Sequence, residues 1–142
     1  MIQHLHTLET GNEDNDTVCE IPPAAVRELL INALCHRSYL ESDELITVAI
    51  YPDRLEITSP GTLPTDYSLE KMTDGRAYYR NPAIARALTH GCLMAHWQTG
   101  LPLVKKTVAV WGLADPVWQE TKAAVKVTLR RPATLAVSEA KL

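Results

Sequence analysis

Glu28 and Asn32 are the residues of this sequence whose types and spacing most readily do chemistry: a carboxylate and a carboxamide four positions apart in a largely apolar stretch. Four apart on a helix places one above the other on the same face. A carboxylate among apolar neighbours is costly unless something partners it. Desolvation pushes its pKa upward, toward a value suited to taking a proton near neutral pH. The plainer alternative has Glu28 pointing to solvent at the helix edge while Asn32 makes a buried hydrogen bond, and the helix on its own favours that alternative. His36, with no Cys or carboxylate motif beside it, reads as structural. With Arg37 it suits the negative end of the helix.

The element that must position these groups spans residues 22–37. Pro23 suits the first helical position, where its missing N–H is no loss. Val26, Leu29, Leu30, Ala33 and Leu34 recur at the spacing of a core-facing stripe, and Ile31 and Cys35 carry apolar character further round. Beyond it, residues 45–51 and 54–58 read as an antiparallel hairpin about the Pro52-Asp53 turn. Residues 59–64 read as a rigid loop and 68–72 as a short capped helical turn. Asn81-Pro82 reads as the N-cap and first position of a helix to about Thr89, ended by Gly91. A further helix is expected from about Leu101-Pro102 to Gly112, followed by strands over 117–121 and 124–129. Residues 1–17 are expected to be a flexible segment or linker, 18–131 one domain, and 132–142 a tail or linker.

The length of 142 residues suits one domain with a substantial core. No apolar run approaches the length of a membrane span and neither end has a signal-peptide pattern, so the expectation is a cytoplasmic protein without membrane contact. Three cysteines, Cys19, Cys35 and Cys92, are widely separated, which suggests neither a disulfide framework nor a zinc site. A net charge of −3 argues against a domain built mainly to grip nucleic-acid phosphates.

Taken in order, three pieces resemble the ATP-binding fold shared by DNA gyrase, Hsp90, sensor histidine kinases and MutL. Glu28-x-x-x-Asn32-Ala33 is similar to that family's N-box. Ser59-Pro-Gly61-Thr-Leu-Pro64, after the hairpin, is similar to its D-x-G-x-G box. Gln98-Thr99-Gly100-Leu101-Pro102-Leu103 is similar to its G-T-G-L-G-L phosphate box. More closely, Asn32-Ala-Leu-x-His36-Arg37-x-Tyr39, Asp53-Arg-Leu-Glu-Ile, Pro60-Gly61-x-Leu63-Pro64, Gly75-Arg76 and Arg80-Asn81-Pro-x-Ile-Ala85 resemble the C-terminal domain of RecG-related ATP-dependent DNA helicases. The same domain follows the Schlafen-type AlbA domain in bacterial transcriptional regulators. The resemblance implies an α+β fold, a two-layer α/β sandwich with helices on one face of a mixed, mostly antiparallel sheet. It also implies that this chain is a fragment of a longer protein. No G-x-x-x-x-G-K-[ST] loop is present, so nothing here resembles a helicase motor.

By that resemblance, Glu28 would activate the water attacking a γ-phosphate and Asn32 would ligate Mg²⁺ on ATP. Thr99, Gly100 and Leu101 would cradle phosphate at a helix N-terminus, with Lys105 or Lys106 adding charge. Arg76 and Arg80 would be further phosphate contacts, and Ser59 and Gly61 would lie at the adenine end. Ser59 stands where nucleotide-binding members have an Asp, and Gln98 and Pro102 stand where glycines are expected. These departures weaken a charge-assisted contact and remove an N–H donor. The alternative reading of Gly61 and Gly100 is that they serve only a turn and a helix start. Three functions remain open at this point. The first is a nucleotide-sensing or assembly module, degenerate in its ATP site, within a DNA-associated helicase-related protein or transcription regulator that touches DNA only through other domains. The second is an active Mg-ATP hydrolase with Glu28 as general base. The third is a structural homodimerisation domain for an attached DNA-binding module.

Overall fold

Pro22 and Pro23 open the first long helix of the computed structural model, which describes residues 7–8, 18–40, 43–73, 78, 80–94 and 100–132. This helix, α1, spans Pro23–His36. Two short strands precede it, β1 (Thr7–Leu8) and β2 (Val18–Cys19), paired antiparallel, the first of them inside the stretch expected as a linker. After α1 come β3 (Thr47–Ile50), β4 (Arg54–Pro60), α2 (Leu69–Thr73), α3 (Pro82–His90), α4 (Gly100–Val110), β5 (Val117–Glu120) and β6 (Ala124–Arg130). Strands β3 to β6 form one sheet in the order β3-β4-β6-β5, and each of its ladders is antiparallel. The expected α+β sandwich is therefore present.

Alternation along the central strands explains the two layers. Leu55 and Ile57 on β4, with Val127 and Leu129 on β6, point to one face, where they meet Ala25, Val26 and Leu29 of α1 and Val104 and Val108 of α4. The other face carries Arg54, Glu56 and Lys126, joined by ion pairs of 2.8 Å and 3.6 Å to the shared Glu56 carboxylate.

Helix α1 is buried on two sides. Besides its contact with the sheet and α4, it packs Ile31 and Cys35 against Ala85 of α3. At about 100° per residue, Leu34 falls beside Arg27, outside both packed sides, and is 41% exposed instead of joining the expected core stripe. The same geometry sets Glu28 and Asn32 along the seam between the two packed sides. An opening along the helix arises there.

Two local expectations change, and one holds with a detail added. Asn81 precedes α3 but makes no side-chain cap to it. Its Nδ2 instead donates to the carbonyls of Cys35, at 2.9 Å, and Arg37, at 2.8 Å, closing the C-terminal end of α1. Gly91 ends α3 as expected, with φ −77°, and the next residue, Cys92, is left-handed with φ 55°. Ser59 and Pro60 belong to β4 and not to the following loop. They pair with Val125 and Ala124 on β6 beyond the end of β3, whose ladder stops at Thr58. Pro60 thus lacks an N–H on the side where no strand asks for one.

Candidate functional site

On α1, Glu28, Asn32 and His36 follow one another at four-residue intervals, and all three face a cleft of about 130 Å³. The floor of the cleft is the apolar sheet face at Ile57 and Val127, and its ends are closed by α4 on one side and by residues near Gly61 and Arg80 on the other.

The Asn32 carboxamide organises the first end. Its Nδ2 donates to the Glu28 carbonyl at 2.7 Å and to Glu28 Oε1 at 3.1 Å. Both N–H groups are therefore used, which leaves Oδ1 as the oxygen available to a ligand. Burial raises the Glu28 carboxyl above the usual carboxylate range, against the smaller lowering influences of the Asn32 hydrogen bond and the Arg27 charge. The carboxylate lies against the first residue of α4, since a Cβ on Gly100 would sit 1.9 Å from Glu28 Oε1. Gly100 and Leu101 begin a helix of 11 residues, and their N–H groups are among those with no acceptor inside it. Pro102, in the same first turn, is exposed.

Ser59 ties strand to helix. Its Oγ donates to the carbonyl of Ala33 at 2.9 Å, so the remaining capacity of this hydroxyl is as an acceptor. Just beyond, Gly61 adopts φ 109°, and its N–H donates to the Ala123 carbonyl at 2.7 Å. A Cβ there would come within 2.9 Å of Ser38 Cβ and 3.1 Å of Ser38 N. Glycine is thus required by both backbone angle and space.

The second end is aromatic and cationic. The His36 and Tyr78 rings stack with centroids 6.2 Å apart, and Tyr67 lies 5.6 Å from Tyr78. The Arg80 guanidinium sits 5.9 Å from the Tyr78 centroid and donates to the Thr62 carbonyl. Its Nε is buried without a hydrogen-bond partner. Burial, aided by the charge of Arg80, lowers the His36 pKa to about 4 from its ordinary 6.5, so the imidazole is neutral at physiological pH. Cys35 is pushed up to about 11 by burial and by the Glu28 charge, which keeps its thiol protonated and unreactive.

Of the residues expected at the site, Glu28, Asn32, Ser59, Gly61, Arg80, Gly100 and Leu101 all line this one cleft. Lys105 is half-buried on α4 and does not line it. Arg76 and Thr99 lie outside the described residues. Tyr67 and Tyr78 were not expected, because neither falls in a periodic pattern or a recognised motif of the sequence. Among the described residues no cluster of three His, Cys, Asp or Glu could hold a metal. Asn32 Oδ1, not engaged by the hydrogen bonds to Glu28, is an oxygen of the kind that Mg²⁺ takes, and Mg²⁺ needs few protein oxygens when phosphates supply others.

A family model described as "Putative ATP-dependent DNA helicase recG C-terminal" matches residues 43–129. The match starts after α1, so Glu28 and Asn32 precede it. Among solved structures, that of the DIP2311 protein from Corynebacterium diphtheriae is similar, with a TM-score of 0.75 and 30% sequence identity. The likeness covers 83% of this chain and 21% of that one, so this chain spans only a minor part of that protein's length. No curated protein matches it.

Proposed function

The chain belongs to the family of RecG-type helicase C-terminal domains, and from that premise we propose that its cleft binds a nucleotide with Mg²⁺ and serves as a nucleotide-sensing module of a longer, DNA-associated protein. The observation that carries this reading is the open cleft between α1, β4 and the start of α4, where a filled core would have left no room for a ligand. Glu28, Asn32 and the first N–H groups of α4 meet at one end of it, where a terminal phosphate would find a helix N-terminus, an oxygen ligand for its metal and a carboxylate.

In this reading Asn32 Oδ1 would hold Mg²⁺, which when bound would neutralise charge on the phosphates. Glu28, with its raised pKa, accepts a proton from water. The carboxylate occupies the mouth of α4, so an incoming phosphate has to displace it from Gly100. Neither Lys105 nor a third N–H at Pro102 reinforces that end. Ser59 replaces a charged acceptor with a neutral one. Binding is therefore expected to exceed turnover in importance, and contact with DNA belongs to other parts of the longer protein. Among the described residues no helix is long and apolar enough to cross a membrane, and a cytoplasmic setting is part of the proposal.

The test is a pair of variants followed by direct titration and phosphate release. Glu28→Ala is expected to abolish whatever turnover the chain has while leaving nucleotide affinity largely intact. Asn32→Ala is expected to weaken the Mg-dependent part of binding. Turnover that persists unchanged in Glu28→Ala would remove the carboxylate from its assigned role.

A further inference from the structure

The sheet ends on one side in β3, and among the described residues no strand pairs with its outer edge. The hairpin decides which backbone groups lie there. Across its turn the Tyr51 N–H donates to the Arg54 carbonyl at 2.8 Å, and the Arg54 N–H to the Tyr51 carbonyl at 3.4 Å. Bonded and non-bonded pairs alternate along an antiparallel ladder, so Thr47 and Ala49 turn their peptide groups toward β4. Val48 and Ile50 turn theirs outward, with Ile46 in the same phase. We infer that this edge pairs antiparallel with β3 of a second copy of the chain, about a two-fold axis at Val48. The pairing does not depend on the nucleotide reading of the cleft.

An open edge is ordinarily blunted by a charge, a proline or a bulge. β3 reads Thr-Val-Ala-Ile in unbroken register with β4 and has none of these. The opposite edge, β5, follows Pro116, packs against α2 and carries Glu120, whose carboxylate accepts the Leu63 N–H at 2.7 Å. Side chains fit self-pairing as well. The two-fold sets Val48 opposite its own copy and Ile50 opposite Ile46 of the second copy. Val48 and Ile50 share the helix-facing side of the sheet, since they pair with Ile57 and Leu55. Ile46 and Val48 are half-buried at the margin of the core and Ile50 is 41% exposed, so two apolar runs join into one. On the other side the same register brings Leu45, 74% exposed, against Tyr51.

Charge selects a second copy in antiparallel order. Asp43, exposed, precedes the strand, and at the far end the Arg54 guanidinium lies 3.9 Å from the Tyr51 centroid. Three arginines and Lys126 stand at that end against the carboxylates of Glu20, Asp53 and Glu56, which leaves it cationic. Two-fold pairing brings the acidic end of each copy to the cationic end of the other, whereas parallel pairing sets like charges together.

The experiment follows the mass of the 142-residue chain by light scattering from micromolar to millimolar concentration. The wild type is expected to approach twice 15.8 kDa as concentration rises. Ile50→Lys puts a charge at the open edge and is expected to weaken association on the order of tenfold or more, with cooperative unfolding retained. A second arm tests the register. Thr47 of one copy and Ala49 of the other form a non-bonded pair with Cα atoms about 4.5 Å apart, within reach of a disulfide. Mild oxidation is expected to link Thr47→Cys/Ala49→Cys into a covalent dimer, and to leave the wild type and each single variant unlinked. A wild type that stays monomeric throughout would overturn the inference. So would a dimer that Ile50→Lys leaves unchanged, or one that the double variant does not cross-link, because it would belong to another face.

Discussion

Single residues in this protein are constrained by space and by charge, and two of them give measurable consequences. Gly61 combines φ 109° with a Cβ position 2.9 Å from Ser38 Cβ. Gly61→Ala is expected to destabilise the chain by about 1–3 kcal/mol, the scale of a residue forced into a glycine-only conformation, with a lower denaturation midpoint as the readout. His36 is the second case. Its pKa falls from 6.5 to about 4 on folding, so the unfolded chain takes up a proton more readily than the native one between those values. Stability is therefore fully present above pH 6.5 and declines as pH falls toward 4, by roughly 3 kcal/mol. Denaturant titrations across that range are expected to show the decline, and His36→Phe to reduce it. An equal pH dependence in the variant would assign the titration to another group. That Glu28 and Asn32 share one face of α1 was readable from their spacing. The missing N–H at Pro102 was readable too, whereas the place of Lys105 outside the cleft was not, because it depends on the phase of α4, which a motif does not specify.

At the scale of elements, α1 holds the site because it is clamped from several directions. Ser59 Oγ ties it to β4, and Asn81 Nδ2 caps its last carbonyls from the start of α3. Asn81→Ala leaves two carbonyls near the end of α1 without that donor and is expected to cost about 1–3 kcal/mol. The loss should speed amide exchange at the end of α1 ahead of the sheet, and uniform exchange across both would contradict the clamp. Sequence periodicity located these helices and strands well, since each buries one strongly apolar face. It marked Ile31 and Cys35 as apolar but placed Leu34 in the core stripe, because only the docking of α3 on Ile31 and Cys35 decides that Leu34 faces outward. Asn81-Pro82 has the residue types of a cap. The side chain went to carbonyls remote in sequence because these were left unsatisfied at the end of α1.

At the scale of the molecule, one sheet face carries the helices and the cleft lies where α1, β4 and α4 do not quite meet. The Arg131 guanidinium pairs with Glu20, both nearly buried, and Arg131 Nη1 donates to the Tyr51 carbonyl at 2.9 Å. These contacts draw the lead-in to α1 and the end of β6 onto the same part of the molecule. The sandwich itself was legible in the order of elements and in the resemblance of three short boxes to a known fold. Whether the boxes enclosed space was not legible, because an open cleft and a filled core use the same apolar residues. Nucleotide binding in this space is tested by the melting temperature of the 142-residue chain against Mg-ATP concentration. A ligand that binds only the native state raises it progressively, by about 2.7 kcal/mol of added stability at a hundred times Kd. A rise of that form is the predicted result, and an unchanged melting temperature at millimolar Mg-ATP, with cooperative unfolding intact, would contradict the claim.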